Sequence, residues 1–227
     1  MSEWWSYRLS DLLMFSPETY YRLFELYNAS IWPMQIAALA SGGVIFALML
    51  SRLPWSGRAV SLLLAISWLF VAYAYFYTRY ATINIAAPYY ALAFAGQAVV
   101  LLLIGGAAGK LTFEQRHGWV RRAGLALFFI ELAVQPLTGP LLGRSWAAIE
   151  LFGIAPDPTV LATLGALLAA DRMRFELFVI PLLWCAVTGA TMWSMQSPDA
   201  LLMPALGLLA LGLALYKRGN DRLAAAS

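Results

Sequence analysis

Glu131 is the side chain in this sequence best placed to do chemistry, because it is an acid set in an otherwise apolar run, Phe128-Phe-Ile-Glu-Leu-Ala-Val-Gln-Pro136. Gln135 and Thr138 follow at i+4 and i+7, so an unbroken helix would carry all three on one face. Pro136 has no N–H to donate and would free a carbonyl beside them. In another apolar run, Gln97 and Tyr90 stand two turns apart on one face. Together Glu131, Gln135, Gln97, Thr138 and Tyr90 form the candidate substrate or ion pathway, a polar seam inside a helix bundle. An ionisable group at bilayer depth is costly, which makes it a functional candidate by default. The same residues also suit a structural role, as hydrogen-bonded glue between helices. The two readings stand side by side at this point.

A second polar group gathers where loops join the apolar runs. Arg79, Asn84, Arg144, Glu150 and Asp157 would line an outer vestibule, with the Gly143–Pro158 loop folded over the bundle as a cap. His117 is the single histidine and Cys185 the single cysteine. That excludes, within one chain, bis-histidine haem, metal sites built on several histidines and an internal disulfide. No metal site and no cofactor are expected. Phosphate-binding Gly-rich Lys motifs and dinucleotide fingerprints are absent from the sequence, and a catalytic set cannot be named. Cys185 sits among small residues with Thr188 and Thr191 further along, which reads as packing.

The elements that must hold these groups are membrane helices. Of 227 residues, 62% are hydrophobic and 12% charged, against roughly 25% charged in a soluble domain. So much apolar surface needs lipid as its main solvent. The expected fold is all-α: a polytopic bundle with seven transmembrane helices near Trp32–Leu50, Ala59–Tyr77, Ala86–Gly106, Gly124–Leu142, Pro158–Ala170, Phe178–Trp193 and Leu201–Tyr216. The fifth is short for a crossing. With seven crossings, one side receives four basic residues, Arg8, Arg22, Arg79 and Arg144. The other receives eleven: Arg52, Arg58, Lys110, Arg116, Arg121, Arg122, Arg172, Arg174, Lys217, Arg218 and Arg222. Basic residues accumulate on cytoplasmic loops, so the N-terminus is expected outside and the C-terminus in the cytoplasm. The net charge of +3 therefore speaks to orientation, and nucleic acid is not an expected partner.

Ahead of the first span, Ser16-Pro-Glu-Thr19 carries a helix start: a capping serine, a proline at the first position and an acid in the first turn. Behind it Tyr20, Leu23, Phe24 and Tyr27 recur on one face, which predicts an amphipathic helix lying in the outer interface. A shorter turn is expected at Ser10–Phe15. The organisation is thus an interfacial segment over 1–31, a transmembrane domain over 32–217 and a cytoplasmic tail over 218–227. Tyr73, Tyr75, Tyr77 and Tyr80, like Trp4, Trp5 and Trp32, fit an aromatic belt at the membrane surface.

Three stretches carry a family resemblance: Tyr7–Asn28 with Trp32-Pro33, Phe152–Thr159 running into Thr163-Leu-Gly, and Ile180–Thr191. Through them the chain resembles an uncharacterised family of small bacterial integral membrane proteins, some of whose members are labelled permeases. The resemblance implies a multi-pass protein of the bacterial inner membrane. It also implies two departures, since many relatives have cysteine where this chain has Asp157 and Gly-His where it has Gly143-Arg144. Three functions follow as expectations. The first is a permease or channel for a small solute or ion, using the Glu131 seam. The second is an accessory or sensor subunit that docks a partner membrane protein, or a second copy of itself, through its outer face. The third is an intramembrane enzyme using Glu150 and Asp157. The lipid bilayer is the partner common to all three.

Overall fold

A computed structural model describes residues 16–51, 53–114, 118–141 and 143–226. The Ser10–Phe15 turn, Trp4, Trp5, Arg8, Arg52, Arg116 and His117 lie outside them. The described residues contain nine α-helices and no strand: α1 Pro17–Ser30, α2 Met34–Leu50, α3 Ser56–Phe70, α4 Ala87–Leu101, α5 Trp119–Ala133, α6 Gln135–Leu141, α7 Pro156–Ala169, α8 Val179–Ser194 and α9 Leu202–Ala226. α3 and α4 run on as π-helical turns, Val71–Tyr77 and Leu102–Ala107.

Three continuous helical stretches are long and apolar enough to cross a membrane: Ser56–Thr82, Ala87–Ala107 and Phe175–Ser194. The pairs α1 with α2, bent by 89°, and α5 with α6, bent by 51°, raise the number to five if each pair is one span. Length and apolarity thus account for three to five crossings rather than seven. Two segments fall short for evident reasons: α7 has only 14 residues, and the apolar run of α9 gives way to Lys217-Arg218. The expected fourth helix is also not one helix. It breaks at Val134, because Pro136 offers no N–H to the carbonyl four residues back.

α7 is the centre of the molecule. All fourteen of its residues are buried, which suits a helix that is apolar apart from Asp157, Thr159 and Thr163, each of which is hydrogen-bonded. α5 crosses it at a pair of glycines. A Cβ on Gly165 would lie 2.7 Å from the Gly124 carbonyl oxygen and 2.8 Å from the Phe128 nitrogen. The two backbones touch there, as small residues permit in apolar surroundings.

A buried helix must have both ends satisfied. At the C-terminus, Arg121 of α5 donates to the Ala169 carbonyl at 2.9 Å and to the Met49 carbonyl of α2 at 2.6 Å. Lys217 of α9 donates to the Leu168 carbonyl at 3.3 Å and also to that of Ala170. At the N-terminus, Pro156 and Pro158 have no N–H to leave orphaned, and Asp157 stands in the first turn, where a negative charge is favoured. The Thr159 hydroxyl donates to the Ala155 carbonyl and accepts from the Gly153 N–H.

Candidate functional site

α1 lies across one end of the bundle. Ser16 accepts from the Thr19 N–H at its start, and its buried stripe is Tyr20, Leu23, Phe24 and Tyr27, as the periodicity predicts. The Tyr27 hydroxyl donates to the Ile154 carbonyl at 2.9 Å, and Asn28 donates to the carbonyls of Ala147 and Ile149, both at 2.8 Å. The helix is thereby fastened to the loop that leads into α7.

Beneath it lies an aromatic roof. The rings of Tyr75 and Tyr80 stack at 5.6 Å, Tyr80 and Tyr90 at 6.5 Å, and Phe24 caps Tyr75 at 4.9 Å. This corrects the belt expectation for two residues. Tyr73 and Tyr77 are exposed, but Tyr75 and Tyr80 are buried. Val71, Ala72, Tyr75 and Phe76 share the inward face at ordinary i, i+4 spacing, and Tyr80 lies in the short turn that follows, Tyr80–Thr82.

Under the roof stand the acids. Asp157, expected in the vestibule loop, belongs to the first turn of α7 and is buried there; one of its oxygens accepts from Trp184 Nε1 at 2.8 Å and Thr188 Oγ1 at 2.9 Å. Glu150 is half-buried in the preceding loop. Burial, and then repulsion from Asp157, raise its carboxyl above the ordinary range, and Arg144 only partly opposes this. Glu131 is 2% exposed and lies within electrostatic range of both acids. One of its oxygens is buried without a hydrogen-bond partner, as is the Gln135 side-chain oxygen. The break at Val134 separates Gln135 and Thr138 from the α5 face that carries Glu131, and Thr138 donates to the Gln135 carbonyl within α6.

Gln97 is fully buried and donates to the Leu177 carbonyl at 2.9 Å, with its own oxygen unpartnered. No hydrogen bond joins it to Glu131 among the described residues. Tyr90 belongs to the aromatic roof. Glu131 is therefore coupled electrostatically to Glu150 and Asp157, while Gln97 bonds elsewhere, to the Leu177 carbonyl. Of the vestibule residues, Asn84 accepts from the Ala86 N–H at the start of α4. Arg79 lines an open groove of about 420 Å³ between α1 and the Tyr80–Thr82 turn, together with Glu18 and Arg22. Arg144 pairs with Asp199 at 2.6 Å, reaches Ser197, and stands 4.6 Å over the Tyr21 ring. It ties α1 to the α8–α9 turn. Sequence reasoning missed Tyr20, Tyr75, Tyr80 and Trp184 as site residues. The proximity of Trp184 and Thr188 at i and i+4 was the available signal, since both can donate to one acid.

A family model described as a family of unknown function, DUF6064, matches residues 17–225. The chain belongs to the DUF6064 family. No curated protein and no solved structure matches it. The DUF6064 match begins at the first residue of α1 and runs through α9, so the roof, the acids and the Arg144 tie all lie within it.

Proposed function

We propose that this DUF6064 chain is a multi-pass protein of a bacterial inner membrane that takes up a small cation from the outer side and passes it inward past Asp157, Glu150 and Glu131. In this reading seven segments cross, α1 lies in the outer interface, and the C-terminus is cytoplasmic. The eleven-to-four distribution of basic residues supports the orientation. The observation that carries the function is that, among the described residues, no salt bridge reaches these acids. Three acids act on one another electrostatically, and the basic group that acts on Glu150 and Asp157, Arg144, is already paired with Asp199. A set of acids in low dielectric without its own cation favours an incoming one. The conformation is a closed one, with α1 and the roof above the acids.

Reconstitution in liposomes tests this. The parent should pass a small monovalent cation, whereas Asp157→Asn and Glu131→Gln should abolish flux while retaining the helical content and melting behaviour of the fold. Flux in both variants equal to the parent would overturn the reading. The accessory-subunit alternative is favoured by the outer groove beside α1, which is lined by Leu23, Leu26 and Ile83 as well as by charges. Under that alternative the chain alone passes nothing, and it co-purifies with a defined membrane partner.

A further inference from the structure

Between the aromatic roof and Asp157 lies a chamber of about 10 Å³, room for one water. Tyr20, Tyr75, Tyr80 and Tyr90 bring hydroxyls to its lining, and so do Thr188 and Thr191. A hydroxyl donates one proton and accepts through its lone pairs, so such groups can hold a water and also hand a proton on. Tyr75 is buried, and its hydroxyl interacts with that of Tyr20. The Tyr80 hydroxyl bonds the Asn84 side chain, and Asn84 lines an open groove of about 560 Å³. Because the Asn84 oxygen accepts from the Ala86 N–H, its amide N–H is what meets Tyr80. The two threonines differ in where their own protons go. Thr188 donates to Asp157 at 2.9 Å, whereas Thr191 donates to the Val187 carbonyl. Of the two, only Thr188 leads to an acid.

A sodium or potassium ion would have to shed its water and pass bodily between the stacked rings of Tyr75, Tyr80 and Tyr90. A proton needs only hydroxyls in sequence. We propose that the chamber seats one water that completes a proton relay from the outer groove, through Tyr80 and Thr188, to Asp157. The step balances. The water gives a proton to the Thr188 oxygen as Thr188 passes its own to the Asp157 carboxylate. The Tyr80 hydroxyl resupplies the chamber water and is itself resupplied from water in the groove. Asp157 ends as the neutral acid, no charge is left along the way, and rotation of the hydroxyls resets the chain. Glu150 and Glu131, both within electrostatic range of Asp157, are the next acceptors. The other charged groups that act on Asp157, Asp199 and Arg144, are paired with each other. The relay rests on the proposed reading that the chain passes a small cation inward, and it names that cation as the proton.

The test uses the full chain in liposomes that trap a pH-sensitive dye, with valinomycin and potassium carrying the balancing charge. An acid step outside should acidify the lumen faster than in empty liposomes. In parallel, uptake of radioactive sodium and rubidium should match that of empty liposomes. Thr188→Val, which swaps the hydroxyl for a methyl, should bring proton flux down to the empty-liposome rate, and Thr188→Ser should restore it. Thr191→Val removes a hydroxyl from the same chamber but no link to an acid, so it should slow the flux less. Tyr80→Phe keeps the ring stack and breaks the chain at its outer end, so it decides the matter if Thr188→Val fails to fold. Proton flux that survives both Thr188→Val and Tyr80→Phe would overturn the relay, as would an equal loss in Thr188→Val and Thr191→Val. Sodium or rubidium uptake without proton flux would also overturn it, and would leave the small-cation reading standing. No flux of any ion would overturn that reading and the relay with it.

Discussion

Gly165→Ala tests the backbone contact at the centre of the bundle, because two physical effects predict opposite signs for it. On helix propensity alone, replacing glycine by alanine within a helix stabilises by about 1 kcal/mol. The contact with α5 opposes that. The new Cβ would lie 2.7 Å from the Gly124 carbonyl oxygen and 2.8 Å from the Phe128 nitrogen, against the 3.4 Å at which ordinary contact begins. Both partners are backbone, so no side chain can rotate away and the two helices must separate by about 0.7 Å. Overpacking of this kind costs roughly 1–3 kcal/mol. The upper half of that range applies when rigid elements must move, which leaves a net destabilisation of about 1–2 kcal/mol. Gly43 in α2 is the control, since a Cβ there meets nothing within 4 Å and only the propensity gain should show. The assay is built into the chain: Cys185 is the single cysteine and is 2% exposed, so a thiol-reactive dye reports unfolding on heating. Gly165→Ala should melt below the parent and Gly43→Ala at or above it. If both variants melt higher, α5 and α7 are not in backbone contact and the central packing described above is wrong.

Three further outcomes are expected. Replacing Leu23 and Phe24 with Asp puts charge where Phe24 stacks on Tyr75, so α1 should detach and limited proteolysis should cut it faster than in the parent; equal resistance would mean that the stripe does not hold it. Burial raises the Asp199 carboxyl, but hydrogen bonds from Ser197 and Arg144 outweigh this and hold it below its ordinary value. A lowered acid contributes stability above its unfolded value and loses it as pH falls through the folded one. Denaturant melts should therefore show the Arg144→Ala penalty at pH 7 and a smaller one near pH 3, and a pH-independent penalty would assign it to packing on Tyr21. Reporter fusions after Asp199 and at Ser227 should report opposite sides of the membrane, and the same side for both would remove the last crossing.

Much of the helical layout was legible in the sequence, because apolar runs and a capped amphipathic stripe are local signals. Ser16, Pro17 and the Tyr20–Tyr27 stripe fall where the pattern put them. What the sequence concealed depends on backbone irregularity and on neighbours. The i+4 relation of Glu131 to Gln135 assumed a straight helix, and Pro136 broke it. Tyr75 follows buried Trp68 and Val71 at helical spacing, a signal masked because its exposed neighbours Tyr73 and Tyr77 made the four tyrosines look like one surface belt. Asp157 read as a loop residue because two prolines flank it, yet the same prolines start the buried helix. The candidate site was visible in its acids and hidden in its walls.

The capping of α7 bears on how the chain is made. Its last carbonyls are satisfied by Arg121, which is synthesised before it, and by Lys217, which comes near the end of the chain. Until α9 has been translated, the Leu168 and Ala170 carbonyls at the end of α7 lack the Lys217 donor. The packing of α7 is therefore post-dated: the centre of the bundle closes only when α9 arrives. A nascent chain stalled before Lys217 would display an open C-terminus at its core, a mark by which quality control can tell an unfinished molecule from a finished one.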